Sequence, residues 1–149
     1  MKPTAKIGSL LGQKCSDVFS IAPDATVFDA ISLMAEKGIG AVLVFREGRL
    51  AGILSERDYT RRVILQGRAS KETRVEEIMT TGVVTGDPGM TVEQAMRLMT
   101  ERRIRHLPIL EGGRVSGMIS LGDLVKWTIS AQAETIGHLA NYISGTYPA

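Results

Sequence analysis

A chain of 149 residues and 16.1 kDa, 44% apolar and 23% charged, has the composition of an ordinary globular protein rather than a disordered one. A formal net charge of +2 is too small to mark a nucleic-acid binder without a clustered basic patch. The single Cys15 excludes an internal disulfide framework, no run approaches the ~18 apolar residues of a membrane span, and the N-terminus shows no apolar signal core, so a cytoplasmic setting is expected.

The main pattern is a duplication. Shifted by 65 positions, residues 20–64 lie over residues 85–129 without a gap. Identical pairs recur along the whole overlap, among them Pro23/Pro88, Thr26/Thr91, Ala30/Ala95, Met34/Met99, Ile39/Ile104, Gly52/Gly117, Ser55/Ser120 and Asp58/Asp123. The spacing predicts a first repeat over 13–66, a polar linker over 67–74, a second repeat over 75–130 and a C-terminal helical extension over 131–149.

In each repeat a short strand comes first, Val18–Ile21 or Val83–Thr85. Thr26 and Thr91 then read as helix N-caps, with Asp29 and Gln94 three residues on to close capping boxes. The helices bury Val27, Ala30, Ile31 and Met34, or Val92, Ala95, Met96 and Met99, at helical spacing. Gly38 can end the first helix. Arg103 stands at that position in the second, so a differently built terminus is expected there. Two apolar runs around a Gly-containing turn follow, Ala41–Phe45 with Leu50–Leu54 and Leu107–Leu110 with Val115–Ile119, the pattern of a β-hairpin. A closing helix starts after Ser55, ending near Gly67, and another after Ser120, continuing towards Ile143. In the linker, Thr73-Arg74-Val75-Glu76 reads as a further capping box, opening a short helix with Val75, Ile78 and Met79. The fold class is therefore α/β (α+β), built of two βαββα units.

The usual catalytic signatures are missing: no P-loop, no GxGxxG after a strand, no HExxH, and only two histidines, His106 and His138. An enzyme is not expected, nor a metal site. The chemistry-bearing segments are Gly52-Ile53-Leu54-Ser55-Glu56-Arg57-Asp58 and Gly117-Met118-Ile119-Ser120-Leu121-Gly122-Asp123, both G-h-h-S-x-x-D where a strand hands over to a helix. The pattern is a capping box. It also places a hydroxyl and free N–H groups where phosphate binds, with a carboxylate nearby for a ribose diol. The copies diverge most where Lys37-Gly38-Ile39-Gly40-Ala41 becomes Arg102-Arg103-Ile104-Arg105-His106, which puts cations at the mouth of only the second strand.

The chain resembles the paired domain named after cystathionine beta-synthase, the CBS pair, in its stand-alone bacterial form. The resemblance rests on the repeat, the double G-h-h-S-x-x-D and the Arg105-His106-Leu107-Pro108-Ile109 segment, and covers about Gln13 to Ile129. It implies two repeats packed with pseudo-twofold symmetry around two clefts that bind AMP, ADP, ATP, NAD or S-adenosylmethionine. It assigns Lys14, Phe19, Ile39, Gly40 and Ala41 with Met118, Ser120 and Asp123 to one cleft. The other takes Thr80, Val84, Ile104, Arg105 and His106 with Ser55, Arg57 and Asp58, and Leu107 and Pro108 are counted among the nucleotide-binding residues. Asp58 and Asp123 would hold ribose, Ser55 and Ser120 would lie near ribose and phosphate, and Arg105 and His106 would meet phosphate. No catalytic cofactor is implied.

The expected function is thus a homodimeric adenosine-nucleotide sensor acting on a partner protein. The alternative is a ligand-free dimerisation or scaffold module whose Ser and Asp only cap helices. A nucleic-acid role, suggested by Arg57, Arg61 and Arg62 with Arg102, Arg103 and Arg105, is the weaker third. The apolar positions Ile136, Leu139, Ala140 and Ile143 suggest a dimer contact or a helix closing its own core.

Overall fold

Helix α2 (Val27–Lys37) starts where Thr26 Oγ1 accepts the Asp29 N–H at 3.1 Å, and it buries Val27, Ala30 and Met34 along one face. The computed structural model describes residues 5–12 and 18–129. Before α2 come α1 (Ile7–Leu11) and β1 (Ser20–Ile21). After it run β2 (Ala41–Arg46), β3 (Arg49–Ser55) and α3 (Glu56–Tyr59), then a π-helical turn over Thr60–Ile64, and α4 (Val75–Ile78). The second repeat supplies α5 (Val92–Arg102), β4 (His106–Glu111), β5 (Arg114–Ser120) and helical residues 121–129. Lys14, Cys15, His138 and the extension over 131–149 lie outside the described residues.

The two hairpins match position for position. β2 pairs antiparallel with β3 and β4 with β5, and each ladder shifts register at the same place, between Val44 and Phe45 or between Ile109 and Leu110. Both turns place two consecutive residues at positive φ, Glu47 and Gly48 or Gly112 and Gly113, the conformation that matches the twist of a two-residue hairpin.

The leading strands do not match. β1 adds to β2 in parallel, with Ser20 opposite Leu43, and the Leu43 N–H donates to the Phe19 carbonyl at 3.1 Å. The strand expected at Val83–Thr85 is absent; a single bridge joins Gly86 to Ile109. The residue at the position of Leu43 is Pro108, which has no N–H to give to the Val84 carbonyl. Pairing therefore survives only one step on, where the Gly86 N–H reaches the Pro108 carbonyl at 2.9 Å.

Three expected helix ends are built otherwise than the sequence suggests. Arg103 takes the left-handed conformation of Gly38 (φ 55° against 64°), and the next N–H, of Ile104 or Ile39, reaches back to Met99 or Met34 at 3.0 Å. The two termini are therefore the same Schellman-type closure, and it is the apolar Ile after the cap that carries it. The linker box falls one residue later than read. Arg74 is the N-cap and donates its N–H to Glu77, while the buried Thr73 donates its hydroxyl to the Ala69 carbonyl at 2.8 Å. At α2 only the Thr26 half of the box is made, and Thr91 with Gln94 closes both halves.

The described residues fall into two units, and these are offset from the sequence repeats. One lies within Ser16–Val84; the other joins the N-terminal segment to residues from Thr85 onwards. Helix α4 opens the second repeat in sequence, yet Val75, Ile78 and Met79 belong to the core of Val27, Ala30, Met34, Val42, Val44, Leu54 and Val63. Val75 N–H bonds Ala25 and Val27 N–H bonds Thr73, both at 2.8 Å. Helix α1 does the same for the second repeat. Ile7 and Leu10 are buried, Ile7 N–H bonds Met90 at 2.8 Å, and Val92 N–H bonds Ala5 at 3.0 Å. Each repeat is thus completed by the short helix that leads into the other. At ~1.5–3 kcal/mol for each large apolar side chain buried, these helices are structural parts of the units they join.

The handover from strand to helix as a candidate functional site

Each hairpin ends on the G-h-h-S-x-x-D segment, and the geometry follows from the need to start a helix on the last residue of a strand. Ser55 Oγ accepts the Asp58 N–H at 3.1 Å, while Asp58 Oδ2 accepts the Ser55 N–H at 2.9 Å and its hydroxyl at 3.0 Å. In the second unit Ser120 Oγ accepts the Asp123 N–H at 3.0 Å, and Asp123 Oδ2 accepts the Ser120 N–H at 2.8 Å. The capping boxes foreseen in the sequence are made in both copies.

The strand mouth is fastened to the same corner. Ala41 lies opposite Ser55 in the ladder, and the Gly40 carbonyl accepts the Glu56 N–H at 3.0 Å. His106 lies opposite Ser120, and the Arg105 carbonyl accepts the Leu121 N–H at 2.8 Å. Both the first and third N–H groups of each helix are thus taken up. The second, of Arg57 or Gly122, takes no part in the cap. In the first unit this corner offers Gly40 and Ala41, small and uncharged. In the second it offers Arg105 and His106.

Among the other site residues, Thr80 joins the first unit's corner, exchanging N–H and carbonyl bonds with Ile53 at 2.9 and 3.0 Å. It therefore stands with Ser55, Arg57 and Asp58. Met118 stands opposite Pro108, two positions before Ser120. Phe19 is half-buried with the Lys37 ammonium 5.4 Å from its ring centre. Ile39 and Ile104 close their helices, Leu107 and Pro108 are buried in β4, and Val84 is half-buried outside any strand. The corner brings together, within one unit, Gly40 and Ala41 with Ser55 and Asp58, and Arg105 and His106 with Ser120 and Asp123.

Two of the arginines singled out for nucleic acid have unlike surroundings. Both are exposed, but Arg62 donates to the Ile78 carbonyl at 2.8 Å at the end of α4. The backbone N–H of Arg57 and Gly122 had no sequence signal beyond the box itself. Among the described residues there is no group of three potential metal ligands, and no helix is long and apolar enough to cross a membrane.

Comparison with known proteins places this geometry. The family model described as CBS domain matches twice, over residues 14–64 and 75–130. A mitochondrial CBS domain-containing protein of Arabidopsis thaliana is 43% identical over 129 residues, covering 83% of this chain and 63% of its own length. Among solved structures, a protein with CBS domains from Burkholderia ambifaria MC40-6 superposes with a TM-score of 0.83 at 49% identity, covering 86% of this chain and 96% of that one. A hexameric CBS-CP12 protein from bloom-forming cyanobacteria follows at a TM-score of 0.73 and 32% identity, covering 81% and 69%. With two matched repeats and the same α+β architecture, the chain belongs to the CBS-domain family.

Proposed function

We propose that the chain is a regulatory module that binds an adenosine-containing nucleotide at its strand-to-helix corners. Pairs of CBS repeats are in general regulatory, nucleotide-sensing modules. The observation that carries the reading here is that each cap occupies one carboxylate oxygen, Oδ2, of Asp58 and Asp123. Each thus fixes its carboxylate in place. A carboxylate held in this way is preorganised to accept a ribose hydroxyl, and the neighbouring helix N–H, joined in the second unit by the Ser120 hydroxyl, suits a phosphate. Arg105 supplies charge for phosphate in the second unit, where the first has Gly40, so the two units differ in the ligand they favour. The ligands are AMP, ADP, ATP, NAD or S-adenosylmethionine, and the assembly is a homodimer signalling to a partner protein.

A thermal-shift panel of those five compounds tests the reading. A ligand at ~100 times its Kd adds about 2.7 kcal/mol to stability. No shift from any of them removes the nucleotide and leaves the scaffold. The scaffold reading has its own support, because the capping boxes account for Ser55, Asp58, Ser120 and Asp123 without a ligand. Asp58→Asn and Asp123→Asn separate the two. A scaffold keeps its oligomer and loses little stability, whereas a sensor loses binding.

A further inference from the structure

The two ends of β4 are unlike. His106, at its start, stands at the Ser120 corner, whereas Leu110, near its other end, borders an open recess of about 690 Å³ within the second unit. The rest of the wall is Thr85, Gly86, Asp87, Gly89 and Met90 from the loop ahead of α5, with Gln94 from the first turn of that helix. The recess exists because the repeats fill this place differently. Where the first repeat has Ile21 and Ala25, packed on the first unit's core, the second has Gly86 and Met90. A side-chain carbon on Gly86 would stand 2.8 Å from the Met90 sulfur and 3.1 Å from methyl groups of Leu107 and Ile109. Those side chains close over the glycine; at the positions of Leu107 and Ile109 the first repeat has the smaller Val42 and Val44. Leu110, in turn, stands where the first repeat has the larger Phe45.

The wall combines apolar surface with one charge. Met90 and Leu110 are half-buried, and a methionine adapts its shape to whatever packs on it. Asp87 stands where the first repeat has Ala22, and its Oδ1 accepts the Gly89 N–H at 2.8 Å, which fixes the carboxylate in the wall. Among the described residues Asp87 makes no ion pair, and no cationic side chain lines the recess. An alkyl stem ending in a cation complements such a wall. Sites for small molecules enclose most of the ligand's surface, and this open recess does not. A side chain projecting from another protein brings its own cover, and a basic anchor of this kind is common at protein interfaces.

We propose that this recess docks a lysine or arginine side chain of a partner protein, its stem on Met90 and Leu110 and its charged head on Asp87. The site lies towards the end of β4 away from the Ser120 corner, and it stands whether or not that corner holds a nucleotide. The first repeat, with Ala22 and Phe45 at the matching places, has neither the charge nor the room.

Amide NMR of the full chain tests this with three probes, the acetylated methylamides of lysine, arginine and norleucine, the last having a stem without a charge. The two charged probes are expected to shift the amides of Gly86, Gly89 and Leu110 and to leave those of Ser120 and Asp123 in place. An exposed ion pair is weak, so norleucine should bind only about threefold to fivefold less tightly than they do. Asp87→Asn keeps an acceptor for the Gly89 N–H and should bring the three affinities together. Leu110→Phe installs the residue that the first repeat carries and should abolish the binding of all three. No shift at the three recess amides, or norleucine binding as tightly as lysine in the wild type, overturns the proposal. So does a change in the same amides on concentrating the protein alone or on Lys2→Ala, which would give the recess to a second copy or to this chain's own lysine.

Discussion

The Met79 sulfur lies 2.6 Å from the point where a side-chain carbon would stand on Gly52, and the Thr80 carbonyl oxygen lies 3.0 Å from it. In the second unit the same point on Gly117 is met at 2.8 Å by a methyl of Leu11, with no backbone atom among its nearest neighbours. The two glycines are thus the seats on which the exchanged segments rest.

They should not respond alike to substitution. Gly52→Ala pushes against the backbone pairing of Ile53 with Thr80, which cannot yield without breaking two hydrogen bonds. Gly117→Ala meets the end of a flexible side chain that can turn aside. Overpacking of a rigid site costs ~1–3 kcal/mol. Gly52→Ala is expected at the upper end of that range and Gly117→Ala near or below its lower end. Chemical denaturation of both variants checks the order, and an equal loss would show that the seats are equally stiff.

The crossed attachment of α1 gives a sharper expectation. Ile7 is 0% and Leu10 2% exposed, so Ile7→Ala with Leu10→Ala opens cavities in the second unit, although both residues precede the first repeat in sequence. Such truncations cost ~2–5 kcal/mol each. Hydrogen exchange should therefore quicken in β4 and β5 before it quickens in β2 and β3. Faster exchange in β2 and β3 first would place α1 with the wrong repeat.

The duplication made most of this fold legible. Apolar period, turn glycines and the Ser-x-x-Asp pairs located both hairpins, both long helices and both caps, because each of those features is set by residues within a few positions of one another. The exchange of α1 and α4 was not legible, since which sheet a short apolar helix covers depends on contacts distant in sequence. Arg103 misled for a different reason: residue type argued against a left-handed cap, and the Ile104 bond overrode it. Pro108 carried a readable signal that went unused, because a strand position without an N–H cannot extend a parallel pairing past that point. The corner at Ser120 was foreseen by its residues.

That proline yields its own test. Pro108→Leu supplies an N–H at the position where Leu43 donates to Phe19, and Val84 stands at the repeat position of Phe19. A new hydrogen bond contributes ~0.5–1.5 kcal/mol, while removing proline frees the unfolded chain by ~0.4–1 kcal/mol. The two nearly cancel, so the melting temperature should move little. The change to watch is the amide at position 108, which should be protected from exchange and show a bond to Val84. A freely exchanging amide there would mean that something other than the missing donor keeps 83–85 out of the sheet.

Glu77 sets the acid side of stability for the linker. Its carboxylate accepts the Arg74 N–H at 2.6 Å and pairs with the Arg68 guanidinium at 2.6 Å. The backbone N–H of Arg74 is the main cause that holds its pKa below the usual glutamate value; desolvation opposes it, and the Arg68 guanidinium adds to the lowering. Because the folded value is depressed, the contribution is fully present above the unfolded-state pKa and is lost as pH falls through the folded one. Glu77→Gln should flatten the stability profile across that acidic window and leave it unchanged at neutral pH apart from a constant offset. Arg68→Gln should raise the Glu77 pKa only part of the way, since the Arg74 N–H stays in place. Carboxyl NMR titration of the three proteins measures this directly. A return to the ordinary glutamate value in Arg68→Gln would make the guanidinium, and not the helix cap, the cause.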